Sequence, residues 1–205
     1  MIPEGAAIIL GGGRSSRIGR EKGLLKLDNR AVFEIVLTKL KCLFEEIILV
    51  TNTPSLFDRG RDFRIATDEI PYQGPLGGIL AGLSVSSKKY NFVVAYDMPF
   101  LNIDFVEFLF ARISGADVVI PSSEKGVEPL FAVYSKDCIP AIRKKLESGQ
   151  KRVISFFDEV RVEHISKERV KEFDPRYLSF FNVNTPEDWE KAKRIYQSLK
   201  EKNDV

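Results

Sequence analysis

The chain has 205 residues, of which 44% are hydrophobic and 29% charged, a balance typical of a single soluble globular domain spanning 1–205. Its formal net charge of +2 is too weak to predict nucleic acid as a partner, and no apolar run is long enough to cross a membrane. The N-terminus lacks the basic and apolar regions of a signal peptide, so we expect a cytoplasmic protein.

Short apolar runs alternate with longer helical patterns along the chain, which predicts alternating strands and helices. The predicted strands span 6–10, 47–50, 63–66, 92–95, 118–120, 130–133, 160–165 and 180–183. The predicted helices cover 31–44, after a turn at 27–29, then 76–86, 102–113, a stretch from 135 to 149, and one that starts at 185. We assign Asn102 and Thr185 as N-terminal caps and Gly149 as a C-terminal cap.

This alternation favours a mostly parallel sheet with helices on both faces, an α/β fold. Sheets of this kind bind ligands beyond the carboxyl ends of their strands. Polar candidates follow the predicted strands in chain order: the loop 11–22, Asn52, Asp68, Asp97, and Asn182 with Asn184. We therefore expect one edge of the sheet to collect them.

Cysteine and histidine chemistry is disfavoured. Cys42 and Cys138 match no metal-binding spacing, and we expect both to be buried thiols in a reducing cytosol. The single histidine, His164, lies in an alternating segment that places it on the face of Val160 and Val162, so we expect a structural role. Any catalysis therefore has to come from carboxylates, basic groups and backbone amides.

A glycine-rich, basic loop follows the first predicted strand and ends at Lys22. Its glycines let backbone amides approach phosphate oxygens without a Cβ in the way. Charge and hydroxyl donors for a polyphosphate come from Arg14, Ser15, Ser16, Arg17, Arg20 and Lys22. Gly23 after Lys22 excludes a Walker A motif, and Ser16 stands where a dinucleotide fingerprint needs glycine or alanine. The alternative is a surface turn with solvated arginines.

Three further segments carry candidate chemistry. A glycine-rich turn at 74–78 that leads into a helix offers amides for a nucleotide's base or ribose, with a plain loop as the alternative. Asp97 follows a buried strand, where its carboxylate is well placed to hold Mg²⁺, although it can instead cap the next turn. Asn182 and Asn184 alternate along a predicted strand, so their amides suit an acceptor, a phosphate or the metal, with helix capping as the alternative.

The order of these segments resembles the molybdenum cofactor guanylyltransferase family (MobA-type), within the wider nucleotidyltransferases. The segments that carry the resemblance span nearly the whole chain: LGGGRSSRIGREKGLLKL, VTN, TDE followed by GPLGGILAGL, AYDMPFL, EPLFAVYSKDCIPAIRKKLESGQKRV and FFNVNTPEDWEKA. The first motif alone indicates only the superfamily, whereas GPLGG and the last two segments are more specific.

The resemblance implies a Rossmann-like three-layer α/β/α fold, with a GTP-binding half at 1–100 and an acceptor-binding half at 101–199. Together with the glycine-rich turn, it implies that GTP is contacted by Leu10, Gly11, Gly12, Gly13, Lys22, Asn52, Asp68, Gly74, Pro75, Leu76 and Asp97. It further implies that Asp97 holds Mg²⁺ and that Asn182 and Asn184 lie near molybdopterin or the metal.

Two positions depart from the family's pattern. Gly11 stands where alanine is usual, and the added backbone freedom carries an entropic cost of roughly 0.5–1 kcal/mol. Glu21 stands where aspartate usually precedes Lys22, which keeps the charge but moves it. Gly12 stands where the related cytidylyltransferases tend to carry alanine, and so it sides with guanine.

The implied reaction is attack by the terminal phosphate of molybdopterin on the α-phosphorus of GTP, which releases pyrophosphate. The second pKa of a phosphate monoester is about 6, so this nucleophile needs no general base. We expect Lys22, Arg17 and Mg²⁺ on Asp97 to offset the repulsion between two polyanions. A basic wall for the acceptor is also expected, with a solvated helix face as the alternative: Lys144, Lys145, Lys151 and Arg152.

Two other functions stay open on the sequence alone. One is a nucleotidyltransferase with a different acceptor, such as a sugar phosphate or phospholactate, or one of the cytidylyl branch. The other is a non-catalytic GTP-binding or cofactor-chaperoning module, which the presence of both Lys22 and Asp97 argues against. We expect a monomer that makes transient contact with cofactor-delivery or cofactor-insertion proteins.

Overall fold

The computed structural model describes residues 1–11, 26–57, 63–67 and 73–201. Its strands are β1 (Gly5–Leu10), β2 (Lys26–Leu27), β3 (Arg30–Ala31), β4 (Glu46–Val50), β5 (Arg64–Ala66), β6 (Tyr90–Ala95), β7 (Val118–Ser123), β8 (Gly126–Val127), β9 (Phe131–Ser135) and β10 (Val162–Ile165).

The α-helices are α1 (Val32–Lys41), α2 (Gly74–Val85), α3 (Ile103–Ala111), α4 (Ile139–Glu147), α5 (Lys167–Phe173) and α6 (Pro186–Glu201). Short 3₁₀ turns lie at Pro54–Leu56, Lys136–Cys138, Val153–Glu159 and Leu178–Phe180. No helix within the described ranges has the length and apolar character needed to cross a membrane.

Within those ranges, eight strands form one sheet in the order β10-β7-β9-β6-β1-β4-β5, with β8 paired to β7. β6, β1, β4 and β5 run parallel to one another. β9 is antiparallel to both β6 and β7, and β10 is parallel to β7. The predicted, mostly parallel sheet is therefore confirmed, and the carboxyl ends of six of these strands share one edge.

Helices cover both faces of the sheet, because the side chains of a strand alternate between the two sides. Ala7 and Ile9 of β1 belong to a buried cluster with α1 and α3. Ile8 and Leu10 belong to a second cluster, with α2 and α4. Burial on both sides explains why β1 is an unbroken apolar run, and the three-layer arrangement is confirmed.

A third apolar cluster holds the C-terminal helix in place. Ala192 and Tyr196 of α6 pack with Leu27 of the β2–β3 hairpin and with Val183, in front of α6. The hairpin directly follows the glycine-rich loop in the sequence. The last helix therefore packs against the hairpin that follows that loop.

The predicted helix ends are confirmed where a side chain or a glycine determines them. The side chain of Asn102 accepts a hydrogen bond from the backbone nitrogen of Phe105 at 3.0 Å. That of Thr185 accepts one from Asp188 at 3.1 Å. Gly149 has a φ of 79°, a left-handed conformation that ends α4.

The predicted strand at 180–183 is wrong. The chain instead forms the 3₁₀ turn at Leu178–Phe180 and then irregular backbone up to α6. The carboxylate of Asp174 accepts backbone hydrogen bonds at 2.9 and 2.6 Å from this turn. Val183 then donates its backbone N–H to the carbonyl of Asp97 at 3.0 Å, outside any strand ladder. The two candidate asparagines therefore do not share the face of a strand.

One prediction about a single side chain is also wrong. Cys42 is exposed rather than buried, because it follows α1 on the solvent side. Cys138 is buried as predicted, and burial raises the pKa of its thiol to about 12. His164 lies on the same face of β10 as Val162, as predicted, and it is exposed, since β10 is the outermost strand of the sheet.

Besides the short strand β8, two elements go beyond the predicted strands and α-helices. The turn at 27–29 belongs to the β2–β3 hairpin, in which Asp28 and Asn29 have φ values of 50° and 66°. Left-handed residues at both central positions suit a two-residue hairpin turn, and asparagine and aspartate adopt them readily. α5 is the second addition, with Ser166 as its N-terminal cap.

Candidate active site

The carboxyl edge of the sheet gathers several candidate residues, as the strand order predicts. Hydrogen bonding continues one residue past the strand ends. Gly11 donates its backbone N–H to the carbonyl of Val50 at 2.8 Å, and Tyr96 donates to the carbonyl of Leu10 at 3.1 Å. The segments that carry Leu10, Gly11 and Asp97 are therefore fixed side by side at this edge.

Thr51 joins three of the loops, although the sequence motifs did not single it out. It is buried, and its hydroxyl donates to the carbonyl of Gly11 at 3.1 Å. Its backbone N–H donates to Ala66 at 2.9 Å, and its hydroxyl accepts from the backbone of Thr53 at 3.1 Å. These bonds place Asn52 on an anchored turn beside Gly11. A threonine between a buried strand and a polar turn is the signal that could have found it.

Asp97 lies in the middle of the edge, directly after β6. The residue is half-buried, and the Oδ1 atom of its carboxylate is fully enclosed. Burial, and next the negative charge of Asp97, raise the pKa of the neighbouring Tyr96 hydroxyl to about 12. Tyr96 is therefore not an acid or base near neutral pH, and the carboxylate of Asp97 is the group with chemistry to offer there.

The asparagine segment is attached to Asp97 through the backbone. Val183 is buried, and its N–H donates to the Asp97 carbonyl at 3.0 Å. Asn182 and Asn184 therefore flank an anchor that lies at the same edge. Asn182 donates its side-chain amide to the carbonyl of Phe180 at 3.2 Å. Neither asparagine is the cap of α6, since Thr185 has that role.

The start of α2 presents backbone rather than side chains. Gly74 has a φ of 69°, and it is exposed together with Pro75. Leu76, a candidate GTP contact, is completely buried in the core. Its side chain cannot reach a ligand, so any contact it makes has to come from its backbone. The first-turn amides of a helix carry partial positive charge and suit an anionic or carbonyl group.

The predicted basic wall is only half supported. Lys144 pairs with Glu159 at 3.0 Å, and Lys145 pairs with the same carboxylate at 3.0 Å. Both lysines are thus paired with an acid of the neighbouring 3₁₀ turn, and their place in the wall stays a prediction. The segment 151–152 differs, because the carbonyl of Lys151 lies 3.9 Å from where a Cβ on Gly74 would stand. It is therefore next to the start of α2.

Nine candidates lie outside the described residues: Gly12, Gly13, Arg14, Ser15, Ser16, Arg17, Arg20, Lys22 and Asp68. Their assigned roles stay predictions. Within the described residues there is no group of three or more histidine, cysteine or acidic side chains placed to hold a metal. Asp97 is thus an acidic group of the described edge, and the backbone of the asparagine segment is bonded to it through Val183.

Comparison with known proteins shows which family the sequence matches. A family model described as the MobA-like NTP transferase domain matches residues 7–164. A probable molybdenum cofactor guanylyltransferase from Pelotomaculum thermopropionicum is 38% identical over 190 residues, which cover 93% of this chain and 92% of the relative. Another, from Methanosarcina mazei, is 38% identical over 197 residues, 90% of this chain and 88% of the relative.

A solved structure agrees with these relatives. The crystal structure of molybdopterin-guanine dinucleotide biosynthesis protein A from Archaeoglobus fulgidus superposes with a TM-score of 0.82 and 27% sequence identity. The match covers 94% of this chain and 99% of that one. Sequence and fold therefore agree along the same length of chain.

Proposed function

The chain belongs to the MobA-like NTP transferase family, and on that premise we propose that it transfers GMP from GTP to molybdopterin. The products are the guanine dinucleotide form of the cofactor and pyrophosphate. The observation that carries the proposal is the match to guanylyltransferases over 93% and 90% of the chain, joined to an edge where backbone hydrogen bonds link the ends of β1, β4 and β6 next to Asp97. The reaction uses GTP, a cytoplasmic nucleotide, so we assign it to the cytoplasm.

We assign the GTP side to the loops around β1, β4 and α2. Gly11 begins the glycine-rich loop at a fixed point, so the amides of Gly12 and Gly13 can approach the triphosphate. At the start of α2, the backbone N–H groups of Gly74 and Leu76 are the donors we assign to the base or ribose, since Pro75 has no N–H. Lys22 and Arg17 supply the positive charge that a polyphosphate needs.

A divalent metal fits the donor chemistry of this edge. Mg²⁺ prefers oxygen ligands, and Asp97 offers a half-buried carboxylate. Asn182 and Asn184 belong to a segment whose backbone is bonded to Asp97, so their amide oxygens are the candidates to complete the site. When bound, Mg²⁺ would neutralise charge on the phosphates.

The remaining chemistry consists of orientation and charge, which this edge can supply. The attacking group is a phosphate monoester that is already largely ionised, since its second pKa is about 6. No histidine is therefore needed, and His164 lies exposed on β10, the outermost strand of the sheet. The loops of this edge hold the two phosphates in line, and Lys22 and Arg17 offset the charge of the leaving pyrophosphate.

The direct test is mass spectrometry of the product made from molybdopterin, Mg²⁺ and one nucleoside triphosphate at a time, with pyrophosphate release followed in parallel. We expect the guanine dinucleotide and one pyrophosphate per product with GTP. Product with CTP and none with GTP would contradict the guanylyl assignment and favour the cytidylyl branch. Tight binding of Mg·GTP without turnover would favour a binding module instead.

A further inference from the structure

The feature that the proposed reaction leaves unused is a half-buried carboxylate, Glu128, between β8 and β9. The last residue pair of the β6–β9 ladder joins Val94 to Phe131. Asp97 stands three residues after Val94, and Glu128 stands three residues before Phe131. Because β6 and β9 are antiparallel neighbours, both carboxylates lie at the same edge of the sheet, on adjacent strands.

The backbone of Glu128 is fixed from two sides. Its N–H donates to the carbonyl of Pro121 near the end of β7 at 2.9 Å. Its carbonyl accepts from the N–H of Phe131 at the start of β9, at 3.0 Å. The backbone of Glu128 is therefore held in one position, as is required of a residue that recognises a ligand specifically.

The side chain of Glu128 is fixed as well. The hydroxyl of Ser123 donates to Oε1 at 2.6 Å, a length typical of a hydrogen bond to a charged oxygen. The backbone N–H of Lys125 donates to the same hydroxyl at 3.0 Å, which leaves the hydroxyl proton for the carboxylate. Ser123 thereby orients the carboxylate and occupies only one of its roughly four acceptor positions.

The charge of Glu128 is poorly compensated. It forms no ion pair within the described parts of the chain, and the charge of Lys125 is the weakest of three influences on its pKa. Burial is the strongest, and it raises the pKa of the carboxyl. A half-buried carboxylate without a cation is costly to the fold. Neutral N–H donors from a ligand would lower that cost.

The position of Glu128 relative to β6 indicates which of the two substrates it contacts. The assigned GTP contacts lie at β1, at β4 and at α2, which packs on β1, β4 and β5. Glu128 lies on the other side of Asp97, at β9 and β7. In-line transfer needs the acceptor on the opposite side of the α-phosphate from the leaving pyrophosphate. This placement favours the acceptor over the nucleotide.

We infer that Glu128 determines acceptor specificity by accepting hydrogen bonds from the amino-pyrimidine edge of the pterin, with Ser123 as the residue that positions it. A pterin presents a 2-amino group next to a ring N–H, two adjacent donors that match the two oxygens of a carboxylate. The inference rests on the proposed function. Guanine carries the same edge, so the test has to separate the two ligands.

The test is the substitution Glu128→Gln, which keeps the size of the side chain and replaces one acceptor with a donor. Pterin fluorescence measures the Kd for molybdopterin without nucleotide, calorimetry measures the Kd for Mg·GTP, and steady-state assays give KM and kcat. We expect the Kd and KM for molybdopterin to rise at least ~10-fold, the loss typical of an unmatched polar contact. The Kd for GTP should stay within about twofold. Ser123→Ala should raise the same KM by a smaller factor.

Glu124→Gln is the matched control, since this exposed glutamate on the same hairpin pairs with Lys167 and Lys171 and is expected to leave both ligands unaffected. An unchanged molybdopterin KM in Glu128→Gln would overturn the inference. So would weaker GTP binding in its place, which would assign the carboxylate to guanine. If Glu128→Gln fails to fold, Glu128→Asp is used instead, because it retains the charge and moves the carboxylate. A wild-type KM for molybdopterin in both Glu128→Asp and Ser123→Ala would also overturn the inference. Failure of the unsubstituted chain to use molybdopterin contradicts the proposed function itself.

Discussion

The two sides of β6 offer different kinds of groups to a ligand at one edge of the sheet. On the β1 side the described candidates are largely backbone: Gly11 and Gly74 have no side chain, and that of Leu76 is buried. On the β9 side Glu128 offers a side chain, and Asn182, whose segment is bonded to Asp97, likewise offers a side-chain amide. Main-chain recognition leaves a local glycine pattern in the sequence, whereas side-chain recognition is assembled from distant segments.

The largest expected effect falls on the boundary between the two sides. Asp97→Ala should lower kcat/KM by at least ~10²-fold, because it removes the carboxylate that we propose holds Mg²⁺. Without the metal, negative charge on the phosphates in the transition state is no longer neutralised. Lys22→Ala should have an effect of the same order. Steady-state assays with GTP and molybdopterin measure both, with circular dichroism to show that the fold is retained.

Asp104→Ala is the matched control for Asp97, since Asp104 is an exposed acid in the first turn of α3. It should behave like the unsubstituted chain. Wild-type turnover in Asp97→Ala would show that Asp97 has no role in the transfer. β6 would then no longer separate a nucleotide side from an acceptor side.

A smaller and one-sided effect is expected from the asparagine segment. Asn182→Ala should raise the KM for molybdopterin by about tenfold, because an amide that binds a ligand is lost. The Kd for Mg·GTP should change by less than about twofold. The substitution also removes the bond to the carbonyl of Phe180, so thermal unfolding is measured in parallel. A rise in the GTP Kd with an unchanged acceptor KM would move this segment to the nucleotide side.

The sheet could be predicted from the sequence because its strands are decided locally. β1, β4 and β6 are buried on both faces, so each reads as a continuous apolar run. Asn102 begins α3 through a hydrogen bond of its own side chain, and Gly149 ends α4 through its left-handed backbone. Neither needs a partner from a distant segment. Local chemistry of this kind is visible in a single sequence.

The predictions that proved wrong depend on contacts between distant segments. The stretch 180–183 has the apolar character of a strand, but Asp174 tightens the turn in front of it and Asp97 binds its backbone. For the same reason the pairing of Lys145 with Glu159 could not be read from the helix alone. On the site, the glycine motifs located the β1 side, while Glu128 appeared only as part of a longer motif.

Gly11 provides a test of how tightly the β1 side is packed. A Cβ at this position would stand 2.8 Å from Cδ1 of Leu49, so Gly11→Ala has to displace that side chain. We expect a loss of about 1 kcal/mol in the free energy of unfolding, at the low end for an overpacked core, despite the entropic gain of alanine. Urea denaturation of both single variants and of Gly11→Ala with Leu49→Val measures the coupling. Additive losses would show that the loop start accommodates alanine without Leu49.

The smallest expected effect concerns the link between α6 and the hairpin that follows the glycine-rich loop. Lys200 of α6 pairs with Asp28 of that hairpin at 2.6 Å, but both side chains are largely in water. Exposed ion pairs of this kind contribute little, since solvent and salt screen them. The contact is held instead by apolar groups such as Leu27 and Tyr196, which are buried between the two segments. Lys200→Ala should therefore leave the Tm and both ligand affinities unchanged at low and at high salt. A drop in Tm that disappears at high salt would show that charge, rather than the apolar contact, joins α6 to the nucleotide side.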